Sequence, residues 1–282
     1  MGNLEKILIK VLDPIVKNKR LRYKLNVMWG KRPNIRYRWE DKSKYTRDKK
    51  EYCKLNKREN FEFKKDYEHP IFREWRGQAG YPGSYFWQDL WGGIRISQRM
   101  PDKHFDIGSR IDGFISHLMV LKVPVTLIDI RPLNKKIPGV EFLQADATEL
   151  AGIADDSISS LSALCSLEHF GLGRYGDAID PEACYKAFQA IQRVVRSGGY
   201  IYLSLPIGKE RLCFNAHRVF DPYTIIQEFS ECELEEYSVI DLNKDPVLIE
   251  NCSLKKYREA ETSQMGLFCF RKKEKMFKSY FE

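Results

Sequence analysis

The chain has 282 residues, of which 43% are hydrophobic and 13% aromatic, enough for one α/β domain with an appendage. Its seven cysteines show neither CxxC pairs nor zinc spacing, which indicates reduced thiols in a cytoplasmic protein and argues against a disulfide framework. No run of about 18 apolar residues predicts a membrane-spanning helix, and no signal-peptide pattern is found.

The positive charge is concentrated near the N-terminus. The chain carries a net +8, but residues 1–75 alone carry +11 and the remainder carries −3. This asymmetry predicts a basic N-terminal extension over residues 1–75, followed by a nearly neutral domain over residues 76–282.

Within the extension, residues 3–28 predict a basic amphipathic helix, because apolar residues recur every three or four positions. Such a helix either docks on its own domain or a partner subunit, or lies on the inner membrane surface. Pro14 shortens it and favours docking. Residues 31–68 are charged and tyrosine-rich without a clear period, which predicts a solvated linker. Their interspersed acids argue against a nucleic-acid partner.

A turn-rich loop precedes the second predicted helix, for which Ser84 is the expected N-cap. From residue 103 onward, strands alternate with helices. The predicted strands are His104–Ile107, Val125–Ile130, Glu141–Gln144, Ile158–Ser162, Tyr200–Leu205, Leu234–Leu242 and Gly266–Lys272. The predicted helices are Phe114–Leu121, Pro181–Val195 (with Asp180 as cap and Ser197-Gly198-Gly199 as the stop) and Pro222–Glu231.

This alternation predicts an α/β fold with a doubly wound, mostly parallel, seven-stranded sheet whose last strand is antiparallel. Ligands of such sheets bind outside the carboxyl ends of the strands. After the first strand, Asp106 can accept a hydrogen bond from an ammonium group and Gly108 lets a ligand approach the backbone. Ser109 and Arg110 follow. The alternative interpretation is a turn glycine beside a capping acid.

Acids also follow the second and third strands. Asp129 lies 23 residues beyond Asp106, where an acid can bind ribose hydroxyls, and Ile130 follows it. Asp146, followed by Ala147, can accept from an adenine amino group. Together these residues favour a nucleotide cofactor over an ordinary loop.

Candidate proton-transfer residues follow the fourth strand. Ser166, Glu168 and His169 stand before a glycine-rich run over residues 171–177, and Glu168 and His169 can bind substrate or move a proton. His217 is a second candidate base. Packing or capping are the alternative roles of both histidines. No group of residues has metal-ligand spacing.

The ordered series Asp106-x-Gly108, Asp129, Asp146-Ala147, Leu167-Glu168-His169 and the run at 193–199 resembles the class I S-adenosylmethionine-dependent methyltransferases over residues 100–273. Further motifs around residues 85–89, 171–177 and 214–218 resemble a poorly characterised branch catalogued as a domain of unknown function. Its bacterial members are similar to proteins encoded with surface-polysaccharide synthesis enzymes. Arg110 replaces the small residue of the usual loop.

The resemblance implies S-adenosylmethionine as cofactor, with Asp106 and Gly108 facing its amino-acid part, Asp129 its ribose, and Asp146 and Ala147 its adenine. The residues expected to bind the acceptor are Tyr85, Gln88, Asp89, Arg174, Tyr175, Asp177 and Arg218. The implied reaction is methylation of a hydroxyl on a sugar-like acceptor, nucleotide-linked or lipid-linked, with His169 or His217 as base. The alternatives are a non-catalytic binding or scaffold protein, a nucleic-acid methyltransferase and an NAD-dependent enzyme.

Overall fold

The structure, a computed structural model, describes residues 35–72, 74–77 and 79–274. The amphipathic helix predicted over residues 3–28 lies outside these ranges. Contacts divide the chain into two compact units, one ending at Tyr81 and the other beginning at Pro82. In the described ranges, no helix is both long and apolar enough to cross a membrane.

The first unit contains a long helix where the sequence predicted a linker. Helix α1 spans Ile35–Leu55 and three short 3-10 turns follow it, at Glu59–Phe61, Lys65–Tyr67 and Glu74–Arg76. The returning segment is tied to the helix, because Tyr45 and Lys49 both donate to Glu68 Oε1, at 2.8 and 2.6 Å. The many charged residues of α1 obscure the periodic spacing of apolar residues that predicts a helix. The sequence therefore offered no apolar stripe from which to predict α1.

The second unit alternates strands and helices. Its helices are α2 (Ser84–Ser97), α3 (Ser116–Val120), α4 (Ala183–Val194) and α5 (Pro222–Glu228), with a 3-10 turn at Leu167–His169. Its strands are β1 (His104–Ile107), β2 (Val125–Asp129), β3 (Val140–Gln144), β4 (Ile158–Leu164), β5 (Val195–Ile207), β6 (Arg211–Cys213), β7 (His217–Val219), β8 (Cys232–Asp241), β9 (Val247–Ile249) and β10 (Gln264–Lys272).

The main sheet confirms the predicted fold class. Its strand order is β3-β2-β1-β4-β5-β10-β8-β9, in which β1 to β5 are parallel and β10 runs antiparallel to both β5 and β8. The sheet has eight strands instead of seven, because the short β9 adds to the edge. A separate hairpin, β6–β7, was also missed. Each of these missed strands has only three residues, too few for a periodic pattern.

Both faces of the sheet are covered. Leu127 and Ile128 are neighbours in β2 but belong to different hydrophobic clusters, as side chains that alternate across a buried parallel strand must. One cluster packs α4 and α5 against the sheet, and the other packs α2 and α3 against its opposite face. With both faces covered by helices, the carboxyl ends of β1 to β5 are the part of the sheet that is open to a ligand.

Several predicted element boundaries are wrong. Gly83 rather than Ser84 is the N-cap of α2, and Glu182 rather than Asp180 precedes α4. Helix α4 passes directly into β5, so the two glycines at 198 and 199 lie within a strand rather than ending a helix. A π-helical turn at Ile111–Ile115 leads into α3. Tertiary packing decides these boundaries where several polar residues compete as caps.

Candidate functional site

A cavity of about 820 Å³ opens at the carboxyl edge of the parallel strands. Every predicted site residue lines it except Asp106 and Arg218. Loops from β1 to β4, helix α2 and the β6–β7 hairpin therefore bring residues that are distant in sequence to one place, as expected for this class of sheet.

Asp106 is buried and does not line the cavity. Its side chain is fully buried, and it accepts hydrogen bonds from the Ser109 backbone N–H at 3.0 Å, from Ser109 Oγ at 2.9 Å and from Ser162 Oγ. Burial raises the pKa of Asp106 to about 6. Gly108 turns the chain above it with φ +73°. These hydrogen bonds tie Asp106 to the loop after β1.

In the loop after β1, the backbone of Gly113 lies close to the carboxylate of Asp89. A Cβ atom at Gly113 would lie 2.2 Å from Asp89 Oδ2, so the Asp89 side chain of α2 packs directly against the backbone of the π turn. Arg110, at the start of this turn, is exposed and lines the cavity. This loop therefore differs from a glycine-rich loop, since it presents the Arg110 guanidinium to the cavity and packs against the Asp89 carboxylate of α2.

The acids of β2 and β3 both lie at the cavity wall. Asp129 binds Arg131 through two side-chain contacts, of 3.0 Å from Nε to Oδ1 and 2.7 Å from a terminal guanidinium nitrogen to Oδ2. Asp146 is exposed, and its Oδ1 accepts the Thr148 backbone N–H at 2.8 Å. Ala147 is buried beside it. Arg131, two positions after Asp129, was missed by the sequence analysis although it is adjacent to the motif.

Glu168 and His169 lie next to each other at the cavity, Glu168 buried and His169 partly buried. Glu168 is 2% exposed, its Oε2 has no hydrogen-bond partner among the described residues, and burial raises its pKa to about 8. His169 Nδ1 lies 2.5 Å from the Ala216 carbonyl oxygen, which assigns the proton to Nδ1. Nε2 then faces Glu168 Oε1 at 3.5 Å. Burial lowers the pKa of His169 to about 4, so its ring is neutral at pH 7.

A polar chain links α2 to this pair. Gln88 donates to Asp89 Oδ1 at 3.1 Å, Ser204 Oγ donates to Gln88 Oε1 at 2.8 Å, and Cys165 Sγ lies 3.3 Å from Ser204 Oγ. Burial raises the pKa of Cys165 well above its usual value, with the nearby Glu168 adding to the effect. Cys165 and Ser204 were not predicted, because only the packing of β4 against β5 brings them together.

The mouth of the cavity is formed by the 171–177 loop and the β6–β7 hairpin. The Tyr175 ring lies there, and Asp177 holds the loop by accepting the backbone N–H groups of Gly171 and Tyr175, at 2.7 and 3.1 Å. His217 lines the same region, and burial lowers its pKa. Tyr85, on α2, lines the cavity with a phenol whose pKa is raised by burial. Ser166 and Ile130 complete the wall.

The side chains of two predicted acceptor residues, Asp177 and Arg218, form hydrogen bonds with the protein's own backbone. The Asp177 carboxylate is occupied by backbone N–H groups, which lower its pKa although burial opposes them. Arg218 donates to the carbonyl oxygens of Phe170 at 2.6 Å and Pro181 at 3.0 Å, and does not line the cavity. In the described part of the chain, no three His, Cys, Asp or Glu side chains are grouped as metal ligands.

A family model described as a Caenorhabditis protein of unknown function, DUF268, matches residues 142–272. No curated protein matches the chain. One similar solved structure is the 1,6-didemethyltoxoflavin-N1-methyltransferase of Burkholderia thailandensis (15% identity, 71% of this chain and 81% of that chain, TM-score 0.47). Another is the N-methyltransferase NodS of Bradyrhizobium japonicum WM9 (14%, 68% and 89%, TM-score 0.47). Both contain S-adenosylhomocysteine. The implied bacterial surface-polysaccharide association has no support from these comparisons.

Proposed function

We propose that this protein transfers a methyl group from S-adenosylmethionine to a hydroxyl of a sugar-like small molecule. The observation that carries the proposal is one cavity that combines two strand-end acids, Asp129 and Asp146, with the buried Glu168 and its neighbour His169. The acids suit the hydroxyl and amino groups of a nucleoside, and the pair suits removal of a proton. A role in surface-polysaccharide synthesis is not part of the proposal.

The residues of the cavity fit this cofactor. Asp129 would accept from the ribose hydroxyls, and Asp146 with Ala147 would border the adenine. Arg110 would pair with the cofactor's carboxylate. Asp89 takes the place of the covered Asp106 as the acid for the cofactor's ammonium group. When bound, the cofactor supplies a methyl group on a positively charged sulfur that is its own leaving group.

The chain's own residues would remove the acceptor proton. Burial makes the carboxylate of Glu168 a stronger base than the neutral ring of His169. As the new C–O bond forms, the hydroxyl proton passes to Glu168, which is ionised above its pKa of about 8. His169, tethered through Nδ1 to Ala216, packs beside this carboxyl, and its Nε2 is an acceptor that faces the protonated form of Glu168 at 3.5 Å from Oε1. We therefore assign the base to Glu168 and a positioning role to His169.

Calorimetric and thermal titration with S-adenosylhomocysteine tests the proposal. Ligand at 100 times its dissociation constant is expected to stabilise the protein by about 2.7 kcal/mol. Asp129→Asn is expected to weaken binding by about tenfold, since a hydrogen bond to a charged group contributes about 1.5–3 kcal/mol. Asp155→Asn, outside the cavity, is the control and should bind as the wild type does. Absence of any binding to the wild-type protein would reject the proposal.

A non-catalytic binding protein is the second candidate. The observation that favours it is the two-point contact of Arg131 with Asp129, which occupies the acid proposed for the ribose. If this alternative holds, S-adenosylhomocysteine binds to the protein, and Arg131→Ala tightens that binding because it frees Asp129. The wild-type protein then transfers no methyl group, so Glu168→Gln has no effect on activity.

A further inference from the structure

The guanidinium groups of two arginines both lie against one aromatic ring in the cavity wall. The guanidinium carbon of Arg131 lies 4.6 Å from the centroid of the Tyr175 ring, and that of Arg174 lies 5.1 Å from it. All three residues line the cavity. Each guanidinium group lies within the distance at which cation–π attraction to the Tyr175 ring operates.

The charges of these two arginines are unequally compensated. Arg131 pairs with Asp129, whereas Arg174 donates to the neutral carbonyl oxygen of Ala216 at 3.0 Å. No carboxylate in the described ranges forms an ion pair with Arg174. The Asp177 carboxylate fixes the loop that carries Arg174 and Tyr175, so the protein's own contacts position these two side chains. The Arg174 guanidinium is therefore placed to bind an anion in the cavity, with Arg131 against the same ring.

The anion site lies beside the proposed base. The His169 ring is 5.6 Å from the Tyr175 ring, centroid to centroid, and Arg174 and His169 share the Ala216 carbonyl. A molecule anchored at the two arginines can therefore extend a hydroxyl toward Glu168. Guanidinium groups bind phosphate and carboxylate in a two-point manner, which orients such a molecule as well as holding it.

We propose that Arg131 and Arg174, both against the Tyr175 ring, form a subsite for an anionic group of the acceptor, a phosphate or a carboxylate. This inference rests on the proposed methyl transfer and names the class of its acceptor. Arg131 has a second role, because it also contacts Asp129. The subsite and the ribose region are thereby joined through one side chain, whereas Arg174 belongs to the subsite alone.

The subsite is tested by titrating the protein with inorganic phosphate and with acetate, using chloride at the same ionic strength as the reference. Each titration is carried out with and without saturating S-adenosylhomocysteine. Phosphate or acetate is expected to bind saturably and to stabilise the wild-type protein, and the stronger of the two identifies the anion. Arg174→Gln is expected to weaken this binding about tenfold while leaving the affinity for S-adenosylhomocysteine unchanged. Arg131→Gln is expected to change both affinities.

A control variant separates charge at the subsite from charge in general. Arg271→Ala removes an exposed arginine outside the cavity and should bind anions as the wild type does. No saturable effect beyond that of chloride, or full binding by Arg174→Gln, would overturn the subsite. Anion binding without any S-adenosylhomocysteine binding would instead refute the methyltransferase proposal and leave the subsite intact.

Discussion

The two sides of the cavity obtain their chemistry in different ways. On the proposed nucleoside side, Asp129 and Asp146 are strand-end acids, each closing a short turn onto a backbone N–H two residues later. On the acceptor side, the reactivity of Glu168 comes from burial by elements that are distant in sequence. Local sequence thus places a carboxylate at the end of a strand, whereas the raised pKa of Glu168 needs burial by distant elements.

The largest effect is expected on the acceptor side. If Glu168 is the base, Glu168→Gln should lower methyl transfer by about a hundredfold or more. Wild-type activity should rise with pH to a midpoint near 8, because deprotonation above the pKa of about 8 creates the base. Formation of S-adenosylhomocysteine across the pH range measures both. A flat profile, or full activity of the variant, would contradict the assignment of the base.

The same carboxyl predicts a stability change that needs no acceptor. Its pKa is raised from 4.5 to about 8, so the folded protein holds the proton more tightly than the unfolded chain does. Stability from this group is present below pH 4.5 and is lost as the pH rises toward 8, at up to about 1.4 kcal/mol per pH unit. Glu168→Gln should lose less stability than the wild type over this window in urea titrations. Asp129→Asn is the matched control and should follow the wild type.

The loop between the two sides is expected to respond to added volume. Gly113→Ala introduces a Cβ 2.2 Å from Asp89 Oδ2, and should destabilise the protein by about 1–3 kcal/mol, measured by chemical denaturation. Asp89→Ala removes the obstructing carboxylate. The double variant should therefore be more stable than the sum of the two single effects predicts, and simple additivity would show that the carboxylate is not the obstacle.

The smallest effect is expected for Arg218, which in the sequence looks equivalent to Arg174. Arg218→Ala should leave the affinities for S-adenosylhomocysteine and phosphate unchanged, because its guanidinium is bonded to the Phe170 and Pro181 carbonyls outside the cavity. It should lower stability by about 1 kcal/mol through the lost hydrogen bonds. Loss of anion binding in this variant, equal to that of Arg174→Gln, would remove the distinction between scaffold and subsite.

Much of the fold could be predicted, since parallel strands buried on both faces are apolar runs separated by helices. The strand-end positions of Asp129, Asp146 and Glu168 followed from these runs, and all three residues line the cavity. The long helix α1 was missed because its charged residues obscure the period. The hairpin β6–β7 was missed because three-residue strands carry too little pattern.

Sequence by itself determined the sheet, its order of motifs and the edge at which polar residues gather, because these depend on short-range periodicity and on the geometry of parallel strands. Tertiary structure alone decided what each polar residue does there. It covered Asp106, removed Arg218 from the cavity, brought Arg131 and Arg174 to one ring, and buried Glu168. Burial and contacts between distant residues determine the pKa of each group and the partner of each charge. These contacts form only when the chain folds, so the local sequence around a residue does not predict them.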